Sequence, residues 1–175
     1  HMHMPLNEIN MIKEDILDSH RSFLKNIGFI PNLFAYPYGE TSSEVIGILK
    51  NFGITHAFGQ HSGVISSSDN IYYLPRFSLN ERFGEIDRFE FAVNANALQV
   101  KDFIPSEMFL KKNKKPVIEF GIETEIYGNK IECFSNPGGN WGPQEVINIT
   151  RSRVQIKLSE EFLPGRARIN CTVKV

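Results

Sequence analysis

The chain has no surplus of charge. Its 19 basic and 20 acidic residues leave a net charge of −1. Without excess positive charge to neutralise phosphates, a general role on nucleic acid or on an anionic membrane surface is excluded. Long hydrophobic runs are missing too, and none approaches the ~20 residues that a membrane-spanning helix needs. There are only two cysteines and one tryptophan in 175 residues. Cys133 and Cys171 stand too far apart for the close ligand pairs of a structural zinc site. There is no Gly-x-Ser-x-Gly elbow, no Gly-rich phosphate loop and no His-x-x-x-His pair within the chain. No secretory signal opens it. The start, His1-Met2-His3-Met4, reads as the remnant of an expression vector, so that absence says nothing of a native leader.

What is there is an ordinary globular composition, 41% apolar and 22% charged, with an unusual 14 phenylalanines. A chain of this length buries about 70% of its unfolded surface, enough for a real core. Its character changes near residue 100. Before it, helices and strands alternate. Ile9, Ile12, Ile16, His20, Phe23, Leu24 and Ile27 recur at helical spacing, which predicts a helix from Glu8 to Ile27, closed by Gly28. The apolar run 32–36 predicts a buried strand ended by Pro37. Thr41-Ser42-Ser43-Glu44 fits a capping box with Thr41 as cap, opening a helix to about Phe52. Ile54 to Phe58 is a second strand, and the strand–helix–strand order implies that the two run parallel. Ile71 to Leu74 is a third short strand, and Asp87 to Leu98 a further helix.

After residue 100 the reading is all β. Segments 116–122, 130–134, 146–150, 153–158 and 166–175 are strand candidates separated by turns such as Asn136-Pro137-Gly138-Gly139-Asn140. Arg153 to Leu158 alternates strictly, so it is half-buried. Strands at this spacing suggest a small β-sandwich. Both cysteines lie in strand-like segments. Two free thiols and a disulfide joining two strands are both open readings, and the second implies an oxidising compartment. The sequons at Asn148 and Asn170 fall in predicted strands and carry little weight. The run Lys111-Lys112-Asn113-Lys114-Lys115 is a solvated loop between domains or, on a sharper reading, a patch for an anionic glycan.

Candidate chemistry gathers at three successive strand ends. The first carries Tyr36-Pro37-Tyr38-Gly39-Glu40, where Pro37 fixes φ and Gly39 permits a turn that other residues resist. Such a turn can aim a backbone N–H at an oxyanion, although a plain strand-to-helix turn is the simpler account. The second carries Gln60 and His61. The third carries Arg76 between Pro75 and Phe77, suited to anchoring a carboxylate or to a structural ion pair.

Here the residues resemble a known family. Phe34-Ala35-Tyr36-Pro37-Tyr38-Gly39-Glu40 resembles the third motif of the polysaccharide deacetylases, carbohydrate esterase family 4 with its NodB-homology domain. Ala57 to Gly63 and Leu74 to Phe77 resemble the strand ends that follow it in one bacterial subgroup. Pro164 to Thr172, with Cys133 in a matching strand, resembles that subgroup's extra β domain. The resemblance implies a distorted (β/α) barrel that removes acetyl groups from polysaccharides with a divalent metal, commonly zinc. It implies that the Tyr38 N–H serves the oxyanion hole and that Tyr36, Pro37, Gly39 and Gln60 line the substrate site. The family's motif begins with Arg, and Ala35 stands there, leaving Arg76 as the substitute. His61 is the candidate for the catalytic histidine. His3, if native, would end the His-(Ser/Thr)-x-x-His motif of metal ligands. The paired aspartates of the first motif have no counterpart.

The expectation is therefore an α/β then all-β chain: residues 1–100 as the carboxyl-terminal part of a deacetylase barrel and 101–175 as a β-sandwich. Such a fragment would be inactive alone, with a divalent metal, zinc by resemblance, bound by the intact protein and none bound tightly by this chain. Its partner is a polysaccharide, with no nucleic acid and no membrane span. Cys133 and Cys171 are expected to be bonded in oxidising conditions, placing the protein in the periplasm, outside the cell or at its surface. Self-association of the truncated barrel is a further expectation. The competing reading is a non-catalytic carbohydrate-binding or interaction module, with Trp141, Tyr127 and Phe134 as a stacking platform. For a lone Trp beside a Gly-rich turn, simple packing over the edge of the β domain is the plainer account.

Overall fold

The computed structural model describes residues 6–81, 83–107, 109–110, 113–122 and 131–173. His3, Tyr127, Lys111 and Lys112 lie outside this set. The protein is mixed α/β with substantial β content. It divides into two compact units, one formed by the chain up to Ile65 with Asp69–Ile86, the other by Ser66–Ser68 with the chain from Asp87.

In the first unit, helix α1 (Leu6–Ile27) precedes strand β1 (Leu33–Ala35), helix α2 (Ser43–Asn51) and strand β2 (His56–Phe58). The two strands pair in parallel, Leu33 opposite His56 and Ala35 opposite Phe58. The third predicted strand contributes one parallel bridge, Leu74 to Phe58. Its backbone still tracks β2: Ala57 N donates to Ile71 O and Leu74 N to Ala57 O, each at 2.9 Å. Helix α2 is capped by Ser42, not Thr41; the Ser42 hydroxyl accepts from Val45 N at 3.3 Å. Both residues suit a cap chemically, so the sequence left a one-residue ambiguity that the chain path resolves.

The core of this unit joins Ile16 of α1, Val45, Ile48 and Leu49 of α2, Ala57 of β2, and Tyr36 and Ile54, which flank the strands. Burying such side chains contributes on the order of 1.5–3 kcal/mol each. The Tyr36 hydroxyl donates to Tyr72 O at 2.8 Å, and Tyr72 donates to Ile54 O at 3.0 Å, so these aromatics enter the core with their polar ends satisfied. The apolar face predicted for α1 is covered only in its first half. Phe23, Leu24 and Ile27 are exposed, as are Phe29, Ile30 and Leu33 beyond them.

The second unit contains helix α3 (Ile86–Asn94, from Asp87 onward) and strands β3 (Val100–Ile104), β4 (Ile118–Ile122), β5 (Ile131–Ser135), β6 (Gly142–Thr150), β7 (Arg153–Lys157) and β8 (Ile169–Val173). The six strands pair antiparallel in the order β3-β4-β7-β6-β5-β8. Strand β6 changes partner along its length. Its first residues, Gly142 to Gln144, face β5, and Glu145 to Thr150 face β7. This handover curls the sheet, so Ile118, Phe120 and Ile122 of β4, Val154 and Ile156 of β7, and Ile131 and Cys133 of β5 meet in one core. The alternation read in Arg153 to Leu158 is realised. Val154, Ile156 and Leu158 are buried, and on the other face Arg153 and Gln155 donate to the Glu119 carboxylate at 3.2 and 2.8 Å. Cys133 stands opposite Cys171 in the β5–β8 register, and the two form a disulfide.

Candidate functional site

The strand-end residues meet within the first unit. After β1, Pro37–Gly39 forms a single 3₁₀ turn: Gly39 N donates to Tyr36 O at 2.9 Å and Glu40 N to Pro37 O at 3.3 Å. Tyr38 takes a left-handed backbone, φ 57° and ψ 5°, with its ring 72% exposed. A non-glycine residue there costs about 1–2 kcal/mol, so the surrounding turn must hold it. Gly39 follows at φ +74°, and a Cβ on it would lie 2.5 Å from the backbone nitrogen of Gln60. The turn is therefore pressed against the Gln60 loop, and only glycine permits that approach.

Arg76 fixes the loop from the other side. Its Nε donates to Gly59 O at 2.8 Å and its backbone N to His61 O at 3.0 Å. Among the described residues no ion pair joins Arg76 to a carboxylate. Within the described residues Arg76 thus makes a clamp on main-chain carbonyls in place of the structural ion pair envisaged from sequence.

His61 stacks on Tyr73, with ring centroids 4.5 Å apart and planes 23° from parallel. Its Nδ1 is buried with no hydrogen-bond partner among the described residues. A Cβ on Gly59 would come within 2.6 Å of that nitrogen, so Gly59 makes room for the ring. Burial holds the imidazole below its ordinary value of 6.5, opposed in part by Asp69. Tyr73 is held above its ordinary value of 10.0, first by burial and then by the Glu40 carboxylate. The Tyr73 hydroxyl donates to Gly39 O at 3.4 Å, which links the first strand end to the second.

The structure therefore gathers Tyr36, Pro37, Gly39, Gln60, His61 and Arg76 around Tyr73. Tyr73 and Asp69 were not singled out from sequence, and Glu40 entered only as the last residue of the strand-end motif. The signal for Tyr73 was the Tyr72-Tyr73 pair in a strand-like segment, since neighbouring strand residues point to opposite faces. Tyr72 serves the core and Tyr73 the loop. His56 is exposed at the start of β2.

No group of three His, Cys, Asp or Glu side chains that could hold a metal ion occurs among the described residues. With His61 stacked and its Nδ1 turned inward, these residues do not fit the metal that the resemblance implies. No helix among them is long and apolar enough to cross a membrane.

No family model matches the chain. Over 78 residues it is 27% identical to poly-β-1,6-N-acetyl-D-glucosamine N-deacetylases of Staphylococcus aureus strains MSSA476 and MRSA252, a match covering 45% of this chain and 27% of each relative. The protein of strain COL matches equally, over 26% of its length. The chain thus spans about a quarter of the length of the curated relatives it matches. The similarity supports a distant relationship to a polysaccharide deacetylase.

Proposed function

We propose that this chain is the carboxyl-terminal part of a metal-dependent polysaccharide deacetylase, with its strand-end cluster forming one wall of the active site. The observation that carries the reading is the Tyr36–Gly39 turn locked against Gln60 at the ends of two parallel strands. Loops at the carboxyl ends of parallel strands converge on one face, and sites collect there. On this reading the first unit belongs to a distorted (β/α) barrel and the strands of the second form an appended β-sandwich.

The reaction is hydrolysis of an acetyl group on a glycan. The Tyr38 backbone N–H lies in the turn that would face the carbonyl oxygen as it gains charge, and Tyr36, Pro37, Gly39 and Gln60 shape the sugar-facing surface. Arg76 is a positioning residue that holds the Gly59–His61 backbone. His61, uncharged at neutral pH, can take up a proton and return it to the leaving amine or alcohol. The metal, zinc by resemblance, would be held by residues outside those described here, His3 among them if it is native.

The short span relative to the relatives and the uncovered apolar residues of α1 both support the fragment reading. Those exposed faces would also promote self-association of the isolated chain. The disulfide supports a periplasmic, secreted or surface location. The relatives' name makes an N-acetylated glucosamine polymer the first substrate to test. Incubated with it, this chain alone should release no acetate, and the intact protein should release it in proportion to time. Acetate release by the isolated chain would overturn the fragment reading. No release by the intact protein from N- or O-acetylated glycans would overturn the deacetylase reading.

A further inference from the structure

The second unit carries a separate groove that the deacetylase reading does not use. It has a volume of about 440 Å³ and is lined by Asn136, Gly139, Trp141, Arg166, Arg168 and Asn170. That volume falls within the roughly 300–1,000 Å³ range of small-molecule sites. We propose that this groove binds an acidic saccharide, with one sugar ring stacked on Trp141 and its anionic group held by Arg168.

Trp141 is 52% exposed beside the groove, so about half of its surface is open to a ligand. The structure groups it with arginines and asparagines, whereas Phe134 does not line the groove. An indole face and planar guanidinium forks suit a ligand that is apolar on one side and anionic at its edge. Among the described residues that line it there is no carboxylate, and Arg168 supplies a cation. The Glu160 carboxylate contacts Gly138, in the turn that borders the groove, and is not part of that lining.

The walls are also fixed in advance. Asn136 Oδ1 accepts from Arg168 N at 2.9 Å, and Ser135 Oγ donates to Arg168 O at 2.8 Å. Asn170 is paired with Phe134 in the β5–β8 ladder, next to the position where the disulfide crosses it. Arg168 therefore rises from a backbone held at both ends, and little ordering remains to be done on binding.

Trp141 is the only tryptophan in the chain, so its fluorescence reports this groove alone. The 175-residue chain should be titrated with a hexameric uronic-acid oligosaccharide, with neutral chitohexaose and with sodium sulfate. The uronate should give a saturable change that weakens as salt is raised. R168Q should weaken it about tenfold, as expected for losing a charge-assisted contact. In calorimetry W141A should abolish it. Should R168Q fail to fold, the ligand and salt series on the unaltered chain still decides. Three results would overturn the proposal: no saturable change with the uronate, equal affinity for the neutral oligosaccharide, or the same response to sulfate, which would mark an anion site without sugar recognition.

Discussion

Replacing both bonded cysteines, C133A with C171A, should destabilise the second unit by a calculable amount. The bond closes a loop of sequence separation 38 and joins residues directly opposite each other in β5 and β8. In the chain-entropy account, removing such a cross-link returns about 13 cal/mol/K to the unfolded chain, or about 4 kcal/mol at 25 °C. Alanine avoids burying a new hydroxyl at Cys133, which is 1% exposed. With a urea slope of about 2 kcal/mol/M, the midpoint should fall by roughly 2 M. Trp141 fluorescence follows this unit directly, since no other tryptophan contributes. Reductant should shift the unaltered chain by a similar amount and leave the double variant unmoved. A shift below about 1 kcal/mol in both experiments would refute the claim that this cross-link constrains the unfolded chain.

Three further predictions concern the strand-end cluster. G39A should cost at least about 1–2 kcal/mol from the left-handed backbone alone, and more from the contact with Gln60, read as a lower thermal midpoint; an unchanged midpoint would mean the turn does not press on that loop. Y38G should leave stability within about 1 kcal/mol, because the ring is exposed and glycine accepts the left-handed backbone. His61 is held below 6.5, so as pH falls the unfolded chain takes up its proton first. The corresponding stability is fully present above pH 6.5 and declines as pH drops through the lower folded value. H61Q should flatten that part of the stability–pH curve, and an NMR titration placing His61 at or above 6.5 would contradict the account.

The elements that could be read from sequence are those whose pattern is set locally. The helical repeat of Ile9, Ile12 and Ile16 and the alternation of Arg153 to Leu158 both stand in the structure. Strand β3 was missed for a physical reason. Asp102 adopts φ +50°, and the register against β4 shifts between Lys101 and Ile104, so a bulge breaks the two-residue period. The start of β6 was hidden by Pro143, which reads as the end of a turn yet faces Phe134 of β5. The helix expected to reach Leu98 ends at Asn94, while Leu98 packs against the sheet core.

At the site, the sequence located Tyr38, Gly39, His61 and Arg76 at strand ends because Gly and Pro punctuate them. What those side chains bind was not legible. That Arg76 reaches the Gly59 carbonyl, and that His61 lies on Tyr73, depends on how parallel strands distant in sequence are stacked. No local pattern encodes that arrangement.

The most direct test of the deacetylase reading is acetate release by the intact protein carrying Arg76→Gln, assayed on an N-acetylated glucosamine polymer against the unaltered protein. Arg76 holds the Gly59–His61 backbone by hydrogen bonds to the Gly59 and His61 carbonyls. The account predicts that the unaltered protein releases acetate and that the variant, still folded by circular dichroism, is slowed about tenfold or more, as expected when one charged hydrogen bond to the loop is lost. Equal rates in the two proteins would contradict it.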